Sequence, residues 1–220
     1  MSVHMSIMTG KLKDFRAINT NTVTNEFCIK MYKSKNKKII CTKCYSHDML
    51  NSFRKNNQGV LQKNSDLLSK HYIDNQVPVL NDLYFRFNAH GELINELHLH
   101  NLVSICKHNP KTNFALWSKR KNIIKKYFDN NKKPSNLILV YSNPITNKPI
   151  DIKDIPKYFD KTFNNVDYDK FTKEQNCTGQ KCIDCLKCYN HNNDNTIIEA
   201  IKKKGRVIKW LGLFFILVLV

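Results

Sequence analysis

Residues 83–141 read LYFRFNAHGELINELHLHNLVSICKHNPKTNFALWSKRKNIIKKYFDNNKKPSNLILVY, and the change of period along them decides the fold. Leu83 to Asn88, Asn113 to Trp117 and Leu137 to Tyr141 are short runs of aromatic and branched side chains, which suit a pleated strand. Between them the apolar residues recur at three- and four-residue steps. Glu92 to Lys107 carries Leu93, Leu97, Leu99, Leu102, Val103 and Cys106, and Lys119 to Phe128 carries Ile123, Ile124, Tyr127 and Phe128, so each predicts a helix with one apolar side. Strand, helix, strand, helix, strand is the order of parallel βα units. The expected class is α/β, with an incomplete parallel sheet or a partial barrel, since 220 residues are few for a closed eight-fold barrel.

Outward from this segment the signals weaken. Residues 1–25 are polar and read as an N-terminal arm. Glu26 to Lys30 and Lys38 to Cys41 read as short extended pieces. Ser65 is placed to cap a helix carrying Leu67, Leu68, His71 and Tyr72, which ends before Pro78. Asp151 to Lys170 mixes acids with Ile155, Tyr158, Phe159 and Phe163 and reads as a cover over one end of the sheet. Asp194 or Asn195 can cap a basic helix over residues 191–206 that carries Ile197, Ile198 and Ile201 and ends in Lys202 to Lys204, where cations suit the helix dipole. The organisation expected is therefore an arm (1–25), an α/β metal-binding domain (26–190), a basic helix (191–206) and an apolar segment (207–220).

That last segment contains WLGLFFILVLV, eleven uninterrupted apolar residues from Trp210. Fourteen helical residues from Val207 reach about 21 Å, short of the roughly 30 Å hydrocarbon core. With Lys209 able to snorkel and a basic cluster before it, the segment reads as a short apolar helix anchored in a membrane, whether it spans or only enters. No apolar run of signal-peptide length opens the chain, so the domain is expected on the reducing, cytoplasmic side.

In a reducing compartment, eight cysteines point to metal or redox chemistry before disulfides. Cys177, Cys182, Cys185 and Cys188 form C-x4-C-x2-C-x2-C, four soft ligands in one short run. A cubane presents four irons at separate corners, and a loop with short steps can wrap it, so a [4Fe–4S] cluster is the favoured cofactor. Zinc also takes four thiolates, but usually from two separated C-x2-C knuckles, and stands as the alternative. Thr178, Gln180 and Lys181 are placed to donate hydrogen bonds to sulfur. Cys41 and Cys44 make a lone C-x2-C with Cys28 thirteen residues before it. These three are candidates for a second site, with a histidine such as His47, or for a ligand lent to the C-terminal loop. The C-x3-C-x2-C signature of radical S-adenosylmethionine enzymes is missing, because Lys37 stands where its first cysteine belongs. Cys106 lies on the apolar side of its helix and reads as core.

Two classes are excluded at this level. Six glycines include neither a dinucleotide fingerprint nor a Walker-type loop, and there is no H-E-x-x-H zinc protease motif. A formal charge of +18 suits acidic partners, either nucleic acid or an anionic membrane surface. An Asn- and Lys-rich composition also follows from AT-rich coding DNA, without selection for a binding face.

The order of motifs resembles the gene-product-88 family described in phages, a family of uncertain function. The likeness runs over residues 28 to 190: a cysteine segment ending Cys44-Tyr45, a Phe85-Arg86-Phe87 strand leading to Gly91-Glu92-Leu93, an aromatic strand with Trp117, and a loop ending Cys188-Tyr189. The resemblance implies cluster binding by the cysteines at both ends, here Cys28, Cys41, Cys44 and the terminal four. With the apolar tail, the chain looks like a version from a large DNA virus, sited at a host or virion membrane.

Three functions follow as expectations. The first is a membrane-attached iron–sulfur protein with an electron-transfer or redox role and a redox partner protein. The second is a zinc-stabilised nucleic-acid-binding protein. The third is a cluster-dependent enzyme with Arg86, His90 and Glu92 near a strand end as substrate contacts.

Overall fold

The computed structural model describes residues 2–167, 174–191 and 195–201. Seven strands form one open sheet in chain order: β1 (Met5–Ile7), β2 (Arg16–Ile18), β3 (Tyr84–Phe87), β4 (Asn113–Ser118), β5 (Leu137–Ser142), β6 (Lys161–Asp167) and β7 (Thr196–Ile201). β1 runs antiparallel to β2, and every later neighbour pair is parallel. The sheet is not closed, so β1 and β7 are its edges.

The central βα units stand where the change of period predicts them. Phe85 and Phe87 of β3 are level with Phe114 and Leu116 of β4. These four pack with Leu137, Leu139 and Tyr141 of β5 and with three helices in one buried core: α3 (Gln58–Lys70), α4 (Glu96–His108) and α5 (Lys121–Phe128). Side chains alternate across a strand, so the intervening residues Arg86, Ala115, Trp117, Ile138 and Val140 face the other way. There Ala115, Trp117, Ile138 and Val140 join Phe15 and Tyr189 in a second core, against which Cys182, Ile183, Leu186 and Cys188 pack. The sheet is thus covered by helices on one face and by the cysteine loop on the other. Cys106 is buried in the helix-side core, as its position on α4 predicts.

Several outlying expectations are corrected. Residues 1–25 are no free arm: Arg16–Ile18 pairs with β3, Arg16 donates to the Asp82 carboxylate from Nε at 2.9 Å, and Asn19, Thr20, Asn21 and Thr22 are buried. Glu26 to Lys30 is helical, within α1 (Glu26–Tyr32), because the Asn25 side chain accepts hydrogen bonds from the Phe27 and Cys28 amides and caps it. Lys38 to Cys41 gives only one bridge, Ile39 with Ile145, before a 3-10 turn over Ile40–Lys43. Ser65 lies inside α3, where its hydroxyl donates to the Leu61 carbonyl at 3.0 Å. Within the proposed cover, Lys161–Asp167 is a sheet strand.

The basic helix expected over residues 191–206 is also corrected in its described part. Thr196–Ile201 forms β7, paired residue for residue with β6, so ladder bonds and the burial of Ile197 and Ile198 outweigh the local capping signal. Lys202 to Lys204 and the apolar segment from residue 207 lie outside the described residues. Among the described residues no helix is long and apolar enough to cross a membrane.

Candidate functional site

All eight cysteines are free thiols, and seven of them fall into two groups on the sheet. The C-terminal group starts at its edge. Cys177 bridges to Glu199 of β7, and the Asn176 and Cys177 amides donate to the Ile198 carbonyl at 3.3 and 3.1 Å. The Asn176 side chain accepts from the Ile198 amide at 2.9 Å and donates to the Thr196 carbonyl at 2.8 Å. Gly179, with a φ of 103°, then turns the chain into the one-turn helix α6 (Cys182–Cys185). Leu186, in left-handed conformation with a φ of 50°, turns it again towards Cys188. Tyr189 follows and fixes the loop, its ring 4.8 Å from Phe15 and 5.9 Å from Trp117.

Cations and donors meet the sulfurs of this group. Lys11 Nζ lies 3.0 Å from Cys177 Sγ and 2.6 Å from Glu199 Oε1, and Gln180 Nε2 is 3.5 Å from Cys185 Sγ. Arg86 stacks on Trp117, its guanidinium carbon 3.2 Å from the ring centroid. Burial pushes the Cys182 thiol up and the Cys188 thiol to about 12, and Arg86 opposes the shift at both. Removing protons from these thiols therefore requires a compensating positive charge.

The N-terminal group sits at the carboxyl ends of the parallel strands. Cys28 is on α1, Cys41 on the 3-10 turn, and Cys44 ends that turn and precedes α2 (Tyr45–Leu50). Arg120, just beyond β4, packs over Phe27 of α1 with its guanidinium carbon 4.7 Å from the ring centroid. The turn is tied to the loop after β5 by the Ile40 amide to the Pro144 carbonyl at 2.9 Å and the Thr146 amide to the Lys38 carbonyl at 2.8 Å. Burial raises the Cys28 and Cys41 thiols, and each also feels the Glu92 carboxylate and the Lys119 ammonium. Lys119 follows β4 and donates to Ser142 Oγ of β5 at 2.8 Å. Burial alone would depress its ammonium, but the neighbouring Cys41, Glu92, Cys44 and Cys28 hold it above the usual lysine range.

Of the three expected substrate contacts, Glu92 is a structural tie. Ser118 Oγ and the Leu93 amide donate to its Oε1 at 2.7 and 2.9 Å, and the Lys119 amide donates to Oε2 at 2.8 Å, joining the ends of β3 and β4. His90 Nδ1 is 3.2 Å from Ser46 Oγ, and Arg86 belongs to the cysteine-loop face. His47 stacks on Tyr32 with ring centroids 4.0 Å apart. Sequence reading missed Lys11, Lys119, Thr20, Thr22 and Asn88. The last three have buried side-chain atoms without hydrogen-bond partners, including both amide atoms of Asn88. A signal for Asn88 exists only in the backbone, where its φ of 53° is left-handed.

Among the described residues no three His, Cys, Asp or Glu side chains are gathered as a ready site for one metal ion. Thiolates around a cubane stand at separate corners, which asks less convergence of them than tetrahedral donors at about 2.3 Å from one zinc. Sulfur-directed donors and adjacent cations suit an anionic cluster, so the residues present fit one.

Fold and cysteines together define a mostly parallel α/β protein with one thiol group in the loop that covers the sheet face opposite α3, α4 and α5 and another at its strand ends. The chain belongs to the Gene product 88 family, whose sequence profile it matches over residues 20–205. No curated protein and no solved structure matches it.

Proposed function

We propose that this chain is an iron–sulfur protein, with a [4Fe–4S] cluster held by Cys177, Cys182, Cys185 and Cys188 and a redox role. The observation that carries the reading is the loop itself. Four half-buried thiols share one docked loop, with Lys11 and Gln180 directed at two of the sulfurs and Arg86 opposing the proton affinity of two thiols. When bound, the cluster would supply one-electron chemistry. Four protein thiolates complete its ligand set and suit it to electron transfer with a partner protein. Cys28, Cys41 and Cys44 are a second site, separate from the loop. Residues 207–220 would attach the protein to a membrane, by their sequence.

Anaerobic purification tests this. Wild type should be brown and carry iron and acid-labile sulfide in equal amounts, and Cys182→Ala should lose about four of each. Colourless protein holding zinc, with neither iron nor sulfide, would refute the reading. It would favour a zinc-stabilised protein whose +18 charge binds nucleic acid, an affinity that should fall steeply with salt.

A further inference from the structure

The N-terminal thiols raise a question of number. A cubane has four irons, and this group offers three thiolates. The carboxylate that Cys28 and Cys41 both feel is Glu92, and both of its oxygens already accept hydrogen bonds from Ser118, Leu93 and Lys119, while Asp48 of α2 accepts from the Tyr32 hydroxyl. Resting on the iron–sulfur reading above, we propose that Cys28, Cys41 and Cys44 hold a [4Fe–4S] cluster whose fourth iron takes S-adenosylmethionine, and that the chain is a radical enzyme.

Position supports an exogenous ligand. The three cysteines lie in the connection that follows β2, the first of the parallel strands, beside Glu92, Lys119 and Ser142 at the ends of β3, β4 and β5. Carboxyl ends of parallel strands are where open α/β sheets bind ligands. The same ends carry three of the six residues that have orphaned polar atoms among the described residues. Thr20, Thr22 and Asn88 are at most 5% exposed and yet have unpaired side-chain atoms. Buried polar groups are nearly always paired, so unpaired ones mark a missing partner.

The chemistry selects the ligand class. An iron with an open position is chelated by the α-amino and α-carboxylate groups of an amino acid, and Lys119, beside all three thiols, is the cation for that carboxylate. Hydroxyl and amide groups such as Thr20, Thr22 and Asn88 suit the nucleoside. The C-x3-C-x2-C spacing is absent, but α1 supplies the third thiolate from position 28 in its place.

In the reaction, a low-potential one-electron donor reduces the cluster. That electron enters the sulfonium's S–C5′ bond, which breaks to give methionine and a 5′-deoxyadenosyl radical. The radical takes a hydrogen atom from a substrate C–H bond, or from protein or buffer when substrate is absent, and leaves as 5′-deoxyadenosine.

The test uses the full chain with its clusters loaded and counted as iron and sulfide. Dithionite-reduced protein is examined by electron paramagnetic resonance with S-adenosylmethionine, with citrate as a hydroxy-acid chelator, and with neither. Methionine and 5′-deoxyadenosine are measured by chromatography. S-adenosylmethionine should change the spectrum and the two products should appear in equal amounts. Cys41→Ser should abolish both while the iron of the C-terminal loop remains. Asn88→Gly, which tolerates the 53° φ and removes only the amide, should keep its iron and require about tenfold more S-adenosylmethionine. Fully loaded protein with neither product nor spectral change overturns the proposal and leaves the iron–sulfur reading standing. A response to citrate alone, or products undiminished in Cys41→Ser, also overturns it. Protein that takes up no iron or sulfide removes both readings.

Discussion

Gly91→Ala should be among the most damaging single-methyl additions in the chain. Gly91 has a φ of 111°, outside the regions open to side-chain-bearing residues, and forcing alanine there costs about 1–3 kcal/mol. A Cβ at this position would also stand 2.1 Å from Thr20 Oγ1 and 3.0 Å from both the Thr20 amide nitrogen and its carbonyl oxygen. The hydroxyl can rotate away, whereas the backbone can yield only by stretching the bond from the Thr20 amide to the His90 carbonyl, 3.0 Å long. Overpacking of this kind adds about 1–3 kcal/mol, for a total of about 2–6 kcal/mol, a large part of an ordinary domain's stability. Urea unfolding followed by tryptophan fluorescence measures the loss. Thr20→Ala in the Gly91→Ala background removes the closest contact and should recover about 1 kcal/mol, leaving the conformational cost. Gly10→Ala, with a φ of 64° and nothing within 4 Å of the added methyl, should cost only about 1–2 kcal/mol. A loss below about 1 kcal/mol in Gly91→Ala, or no recovery on removing the Thr20 hydroxyl, would refute this account.

Two further outcomes follow from the buried polar groups. Glu92→Gln turns one acceptor of the β3–β4 tie into an amide facing existing donors, so the urea midpoint should fall by the equivalent of about 2–4 kcal/mol; an unchanged midpoint would contradict the tie. His98, fully buried, has its pKa depressed by burial to about 3, while its Nδ1 accepts from the Ile94 amide at 3.3 Å. A base whose folded pKa lies below its unfolded 6.5 stabilises fully above that pH and loses the contribution as pH falls from 6.5 towards 3. The loss amounts to about 5 kcal/mol. His98→Asn keeps an acceptor and cannot titrate there, so its stability should fall less steeply over that window; a slope equal to wild type would exclude His98 as the source.

The helix-side core was legible because its period is unambiguous: Phe85 and Phe87 alternate, while Leu99, Leu102, Val103 and Cys106 step by three and four. Short strands at the margins were not. Arg16–Ile18 is three residues long, and its neighbour β3 lies more than sixty positions away, so pairing across the chain creates it and local composition does not. Thr196–Ile201 shows the opposite failure, in which a plausible cap and isoleucine spacing suggested a helix and the free edge of β6 imposed a strand. Cysteine spacing pointed to the C-terminal loop as a unit. It offered Cys28, Cys41 and Cys44 either as a second site or as a ligand lent to the loop and could not choose, because a helix capped by Asn25 and a 3-10 turn tied to the loop after β5 position them. Lys11 and Lys119 were invisible for a different reason, since 36 basic residues hide the two that meet thiols.

The bonds from Asn176 and Cys177 to β7 have a consequence for self-association. An open sheet ends in unpaired amide and carbonyl groups, a template on which another chain can add a strand. At the other margin β1 is only three residues long and offers little template. At β7 the first residues of the cysteine loop occupy the ladder positions of Thr196 and Ile198 and act as a selvedge against fraying. Oxidation or stripping of the loop therefore uncovers a sticky margin before it disturbs the core. Damaged protein should first be seen as aggregates that retain native secondary structure.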